Sequence, residues 1–309
     1  MNKPKLRALP SMLLVAALLA GAPMAAEQPV INLWPEGVPG LRPDATPEKI
    51  DGDHVTNVHQ PTLTWFAAPA GQATGTAVII CPGGAYAVLS WGKEGMEPAR
   101  WFNALGVSAF VLRYRLLEYG NPAPLRDVLR AVRWVRAHAG EYGVRADRIG
   151  VMGFSAGGHL ASCAGTLYDA PEGRTGVPLD AVSARPDFLM LIYPVITMKD
   201  PYAHAGSRRN LLGPNPSPEL VEHYSTDLQV TKNTPPAFLL TTFEDGTVPA
   251  ENSIGFFEAL HRAGVPAELH AYEKGPHGFG LRPGYGPVSE WPKLLEQWLR
   301  LHGWIAGPQ

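Results

Sequence analysis

The chain has 309 residues, a hydrophobic share of 45% and a formal net charge of −2. That balance leaves no basic footprint for a nucleic-acid partner, and the composition is that of an ordinary globular protein with one sizeable core. With two cysteines and neither HExxH nor CxxC, the sequence gives no support to a structural or catalytic metal.

In chain order, Lys3, Lys5 and Arg7 precede an apolar run over 9–22 and small residues up to Ala26. Residues 1–26 read as a secretory signal peptide, because the run is shorter than the roughly 20 apolar residues a membrane span needs. The mature chain is expected to begin near Glu27, secreted or periplasmic and with no membrane attachment after cleavage. Residues 27–61, rich in Pro and Asp, are expected to form an N-terminal extension draped over the surface of a domain covering 62–309.

Short apolar runs bounded by turn residues predict strands at 63–67, 76–81, 108–114, 148–153, 188–192, 236–242 and 267–272. Helical patterns fall between several of them, at 98–105, 156–167, 251–263 and 289–302. The clearest places Leu125, Val128, Leu129, Val132 and Val135 on one face behind Pro124, with Arg126, Arg130 and Arg133 on others. Alternating strands and helices predict an α/β fold, a doubly wound, mostly parallel sheet with helices on both faces in a single domain. The stretch 197–235, containing "GSRRNLLGPNPSPE", interrupts the rhythm and is expected to form a rim or small cap. Cys81 and Cys163 lie among apolar or small residues and read as two buried thiols.

The stretch "GFSAGGHL" at 153–160 sets Ser155 between two glycines. Chance alone predicts about 0.25 such matches in a chain with this many glycines, so the motif means little without its context. The context is a strand, "RIGVMG", running straight into it and a helix, "AGGHLASCAGTL", leaving it. That is the arrangement of a nucleophile elbow, which presents a serine at a helix N-terminus where free N–H groups favour negative charge.

A serine hydroxyl needs a base, and the base needs a group to orient it. After the strand "PPAFLLTTF" come Glu244 and Asp245; either carboxylate can serve, and the D-x-x-V-P arrangement of hydrolases of this type favours Asp245. His277, in the Gly/Pro-rich turn after the last predicted strand, is the candidate base. His159, one turn down the helix that leaves Ser155, reads as structural. Oxyanion donors are expected from the Ala156 N–H and from the loop Pro82-Gly83-Gly84-Ala85-Tyr86, at Gly84 or Ala85. Tyr86, Trp91 and Tyr114 are candidate rim aromatics, Tyr86 foremost as a substrate contact.

With "CPGGAY", "LRYRL", "GFSAGGHLA", "LIYPVI", "EDGTVP" and "GPHGFGL", the chain resembles the α/β-hydrolase superfamily. Within it, the resemblance is to secreted bacterial esterases related to acetyl xylan esterase-like and feruloyl esterase-like enzymes. Where the related oxyanion loops read HGGG, Pro82 and Ala85 stand at the first and last positions here. The resemblance implies hydrolysis of a small acyl ester on a carbohydrate through an acyl-serine intermediate, with no cofactor. It leaves open a general short-chain lipolytic or feruloyl esterase, and a non-catalytic binding protein on the same fold.

Overall fold

The computed structural model describes residues 28–306, so the expected leader lies outside the described residues. The strands are β1 (Val30–Asn32), β2 (Lys49–Asp51), β3 (His54–Thr56), β4 (Thr62–Phe66), β5 (Ala77–Cys81), β6 (Leu89–Ser90), β7 (Ser108–Arg113), β8 (Ile149–Phe154), β9 (Phe188–Ile192), β10 (Ala237–Thr242) and β11 (Ala267–Tyr272). An eight-stranded sheet runs in the order β1-β4-β7-β5-β8-β9-β10-β11. It is parallel from β7 to β11 and antiparallel where β4 meets β7 and β1. Strands covered on both faces are apolar along their whole length. Accordingly β5, β8, β9 and β10 are buried at every position.

The helices are α1 (Glu97–Ala104), α2 (Ala123–Ala137), α3 (Ser155–Thr166), α4 (Ala205–Leu212), α5 (Pro218–His223), α6 (Glu251–Arg262) and α7 (Trp291–Leu301). One core lies under α2, α3 and α6, holding Val128, Val132, Leu160 and Phe256. A second lies under α1 and α7, with Phe102, Trp291, Leu295 and Trp298. Each such side chain contributes about 1.5–3 kcal/mol by leaving water. The doubly wound α/β expectation therefore matches the architecture.

Two expectations change. Residues 27–61 do not simply drape over the surface: β1 joins the main sheet, while β2 and β3 pair with β6 in a small second sheet. Leu33 and Trp34 are buried, and the Trp34 indole N–H donates to Asp127 Oδ1 at 2.9 Å. This segment covers Arg130 of α2 and the 171–182 stretch covers Arg133, both of which the amphipathic pattern assigned to faces away from the core. Arg130 is buried, its guanidinium 4.7 Å from the Trp34 ring, and Arg133 donates to the carbonyls of Gly173 and Val182. A helix period distinguishes faces but not what a distant segment lays over them.

From β5 the chain crosses to β7 on one side, and β8 lies on the other. Loops leaving adjacent strands in opposite directions open a crevice at their carboxyl ends. Both the elbow and the Gly-rich loop open there.

Candidate active site

Strand β8 ends at Phe154, and Ser155 follows with φ +52°, in the left-handed region that non-glycine residues rarely enter. The turn is enforced by close packing. A Cβ on Gly153 would lie 2.0 Å from the Gly157 carbonyl oxygen, and one on Gly157 would lie 2.1 Å from that of Cys81. Glycine at both positions lets α3 pack directly on β5 and β8 while presenting Ser155 at the crevice floor, 7% exposed.

His277, on the loop after β11, places Nε2 at 2.8 Å from Ser155 Oγ and Nδ1 at 2.6 Å from Asp245 Oδ2. Asp245 is anchored in turn, because Oδ1 accepts the N–H groups of Thr247 and Val248, each at 2.9 Å. Of the two adjacent acids, Asp245 reaches the imidazole. Glu244 is exposed and accepts the Gly275 N–H at 3.1 Å, while Thr242 Oγ1 donates to the Gly275 carbonyl at 2.7 Å. These two bonds brace the loop that carries His277.

The loop after β5 turns sharply. Gly84 has φ +131°, and a Cβ there would lie 1.9 Å from the Val88 carbonyl oxygen; Ala85 and Tyr86 follow at φ +56° and +59°. The strain is held by the Ala87 and Val88 N–H groups donating to Gly84 O and by Asn210 Nδ2 donating to Ala85 O at 2.8 Å. The N–H groups of Gly84 and Ala85 donate to no acceptor among the described residues. Ala156 lies in the first turn of α3, where backbone N–H groups have no intrahelical acceptor.

The cleft has a volume of about 490 Å³ and is walled by Gly84, Ala85, Ala87 and Val88, with Ser155 and His277 at its floor. His54, Lys93, His204 and Thr247 add polar groups to its wall. His204 and Asn210 come from the 197–235 stretch, so that stretch does contribute to the rim.

Tyr86 is not a rim residue. It is fully buried, with its hydroxyl 2.8 Å from His159 Nδ1, and Tyr114 is buried beside it, donating to Pro82 O at 2.6 Å. His159 Nε2 in turn lies 2.8 Å from the Tyr224 carbonyl oxygen. Burial pushes the pKa of His159 down to about 4, so this histidine is neutral and structural, in keeping with the sequence reading. Cys81 and Cys163 are free and buried. Sequence reasoning missed His54, Lys93, Glu94 and His204. Nothing in their local patterns marks them, since each reaches the cleft only through the packing of separate segments.

The chain is similar to known esterases. The chain is 34% identical over 231 residues to an acetylxylan esterase of Xylanibacter ruminicola, covering 74% of this chain and 46% of that protein. It is 38% identical over 205 residues to endo-1,4-beta-xylanase B of Butyrivibrio fibrisolvens, covering 65% and 32%. The chain thus spans less than half the length of either curated relative. The crystal structure of an acetyl ester-xyloside bifunctional hydrolase from Caldicellulosiruptor lactoaceticus superposes with a TM-score of 0.82 at 39% identity, covering 92% of this chain and 100% of that one. An esterase of Thermogutta terrifontis, solved with butyrate bound, gives a TM-score of 0.69 at 25% identity over 86% and 97%. The model of the BD-FAE family matches residues 65–260, more than half of the sequence, a span that includes Ser155 and Asp245, and the chain belongs to that family.

Proposed function

We propose that the protein is a serine carboxylic-ester hydrolase that removes small acyl groups, acetyl foremost, from a polysaccharide or oligosaccharide. The observation that carries this reading is the unbroken line of hydrogen bonds from Asp245 through His277 to Ser155 at the floor of an open cleft.

In this reading Ser155 Oγ attacks the acyl carbon as its proton passes to His277 Nε2. Proton transfer of this kind contributes about 10²–10⁴-fold. Asp245, accepting at Nδ1, keeps Nε2 free as the base and stabilises the imidazolium that forms. The oxyanion receives the N–H groups of Gly84 or Ala85 and of Ala156, each worth about 3–4 kcal/mol in the transition state. The imidazolium then returns its proton to the departing alcohol oxygen, leaving acyl-Ser155. Water, deprotonated by His277, repeats the sequence and releases the carboxylic acid.

The relatives named for acetylated xylan and acetyl ester-xyloside chemistry support an acetyl substrate. The small walls at Ala85, Ala87 and Val88 suit a short acyl group, and the polar wall of His54, Lys93, His204 and Thr247 suits a hydroxyl-rich alcohol projecting outward. The leader at 1–26 would deliver the enzyme outside the cytoplasm, where such polymers are met.

The test is kcat/KM on acetyl, butyryl and octanoyl p-nitrophenyl esters, together with acetate release from acetylated xylan and ferulate release from methyl ferulate. Each added length of acyl chain is expected to lower kcat/KM, by about 10-fold or more per overfilling step. An octanoate optimum with no acetate release would replace the carbohydrate reading with a general lipolytic one, and strong ferulate release would select the feruloyl branch. Ser155→Ala should abolish all of it without unfolding the protein, and a serine-directed organophosphonate should label the wild type alone, at Ser155. A variant retaining a tenth of the turnover would remove Ser155 from its role.

A further inference from the structure

Three loops meet on a carboxylate that the relay does not use. Glu94, in the helical turn Gly92–Met96 after β6, is 3% exposed. Its Oε2 accepts the Gly83 N–H at 2.9 Å, and its Oε1 accepts the Tyr193 hydroxyl at 2.8 Å. Tyr193, just after β9, also takes the Gly280 N–H on its phenol oxygen at 3.1 Å. Its ring stands edge-on to His277, centroids 5.0 Å apart, and to Phe279 at 4.7 Å. Two side chains, Glu94 and Tyr193, therefore tie the loop after β5 to the loop after β11.

Acceptance at both oxygens is the pattern of an ionised carboxylate. Burying one without a cation is unfavourable unless hydrogen bonds compensate, and Glu94 has no ion pair among the described residues. Burial raises its proton affinity, while the Tyr193 hydroxyl, Lys93 and the Gly83 N–H oppose that shift. The approach is also close: a Cβ on Gly83 would lie 2.6 Å from Glu94 Oε2, 2.7 Å from the Phe154 carbonyl oxygen and 3.0 Å from Ser155 Cβ. The Gly83 backbone is thus pressed between this carboxylate and the elbow, one residue before the candidate oxyanion donors. An arrangement with no bearing on the cleft would not need both contacts on one peptide.

We propose that Glu94, acting through the Gly83 peptide and Tyr193, is the positioning residue that holds the oxyanion loop in register with His277 and Ser155. The inference rests on the esterase reading and adds a residue outside the line from Asp245 through His277 to Ser155. Its removal loosens groups that act on the developing oxyanion, so the loss should fall on kcat and leave KM nearly unchanged.

The experiment compares the full-length wild type with E94Q, E94A and Y193F on p-nitrophenyl acetate. Turnover is normalised to sites titrated with an organophosphonate, and a trifluoromethyl ketone serves as a tetrahedral-adduct probe. E94A should lower kcat by about 10²–10³-fold, the effect of one lost oxyanion donor. E94Q keeps an acceptor for Gly83 but presents an amide to Tyr193, and Y193F cuts the tie to Gly280. Each of these should lose about 10-fold, the effect of one bond to a charged group. In all three, affinity for the ketone should fall in parallel with kcat. Since Glu94 and Tyr193 act as one unit, E94A/Y193F should be little worse than E94A. If E94A does not fold, E94Q and Y193F carry the test. Normal kcat per titrated site and unchanged ketone affinity in E94Q and Y193F would overturn the proposal while leaving the esterase reading intact. A wild type that hydrolyses no ester would overturn both.

Discussion

Replacing Asp245 with Asn changes one atom at the deepest member of the relay, and the structure allows its effect to be worked out. Asp245 Oδ1 holds two backbone N–H groups and Oδ2 faces His277 Nδ1. Asparagine can keep its carbonyl on the Thr247 and Val248 N–H groups, which puts its NH₂ against Nδ1. Nδ1 must then accept, so the ring proton moves to Nε2 and points at Ser155 Oγ, and the base is lost. The flipped amide would instead leave two backbone donors without an acceptor, at about 1–3 kcal/mol each, so the first orientation dominates. A triad carboxylate replaced in this way loses about 10⁴ in kcat, or about 5.5 kcal/mol of transition-state stabilisation. The assay is turnover of p-nitrophenyl acetate by Asp245→Asn and Glu244→Gln. Glu244 braces Gly275 through an oxygen that Gln retains, and its other contact is an exposed ion pair with Lys274 at 3.9 Å, so its variant should stay within about threefold of wild type. An Asp245→Asn variant within tenfold of wild type would refute the tautomer argument, and the reverse ranking would move the acid to Glu244.

Asn210→Ala removes the side chain that holds the Ala85 carbonyl, and kcat/KM should fall by about 5-fold, one neutral hydrogen bond, with the fold intact; unchanged kinetics would separate the 197–235 stretch from the oxyanion loop. Gly157→Ala forces a methyl against the Cys81 carbonyl, and a thermal melt should register about 1–3 kcal/mol of lost stability or no folded protein. His159 is held neutral, with its pKa near 4 in the fold against 6.5 for an ordinary histidine. Between those values the unfolded chain binds a proton that the native state does not, so stability falls as pH drops from about 6.5 to 4, by about 3 kcal/mol in all. Urea midpoints at pH 7.5 and 4.5 should therefore diverge more for wild type than for His159→Gln, and equal divergence would contradict the neutral assignment.

The parallel strands were legible because covering both faces of a sheet writes uninterrupted apolar runs, such as Ala77–Cys81, into the chain. Ser155, His277 and Asp245 were legible because each sits in a turn whose residue types serve that geometry, within a few residues of the end of a strand. What stayed hidden depends on contacts between distant segments. β1 is three residues long and mostly exposed, so it has no apolar pattern to announce it. Tyr86 looked like a rim aromatic because it follows the Gly-rich loop, yet a left-handed turn at Ala85 sends it inward to His159. Glu94 carries the composition of a solvated turn, and its partners lie 11 and 99 residues away.

The two thiols have a consequence for the conditions under which the protein can work. Cys81 is on a central strand and Cys163 on the helix packed over it, both unpaired and buried, and burial pushes each thiol well above its ordinary pKa, with the Glu172 charge adding to the shift at Cys163. Oxidants, peroxides and disulfide exchange act on the thiolate, which these positions suppress and shield from reagents. The fold neither requires a cross-link nor exposes a sulfur that could form a wrong one. Once folded, the chain therefore offers a redox reagent no accessible thiol at either position.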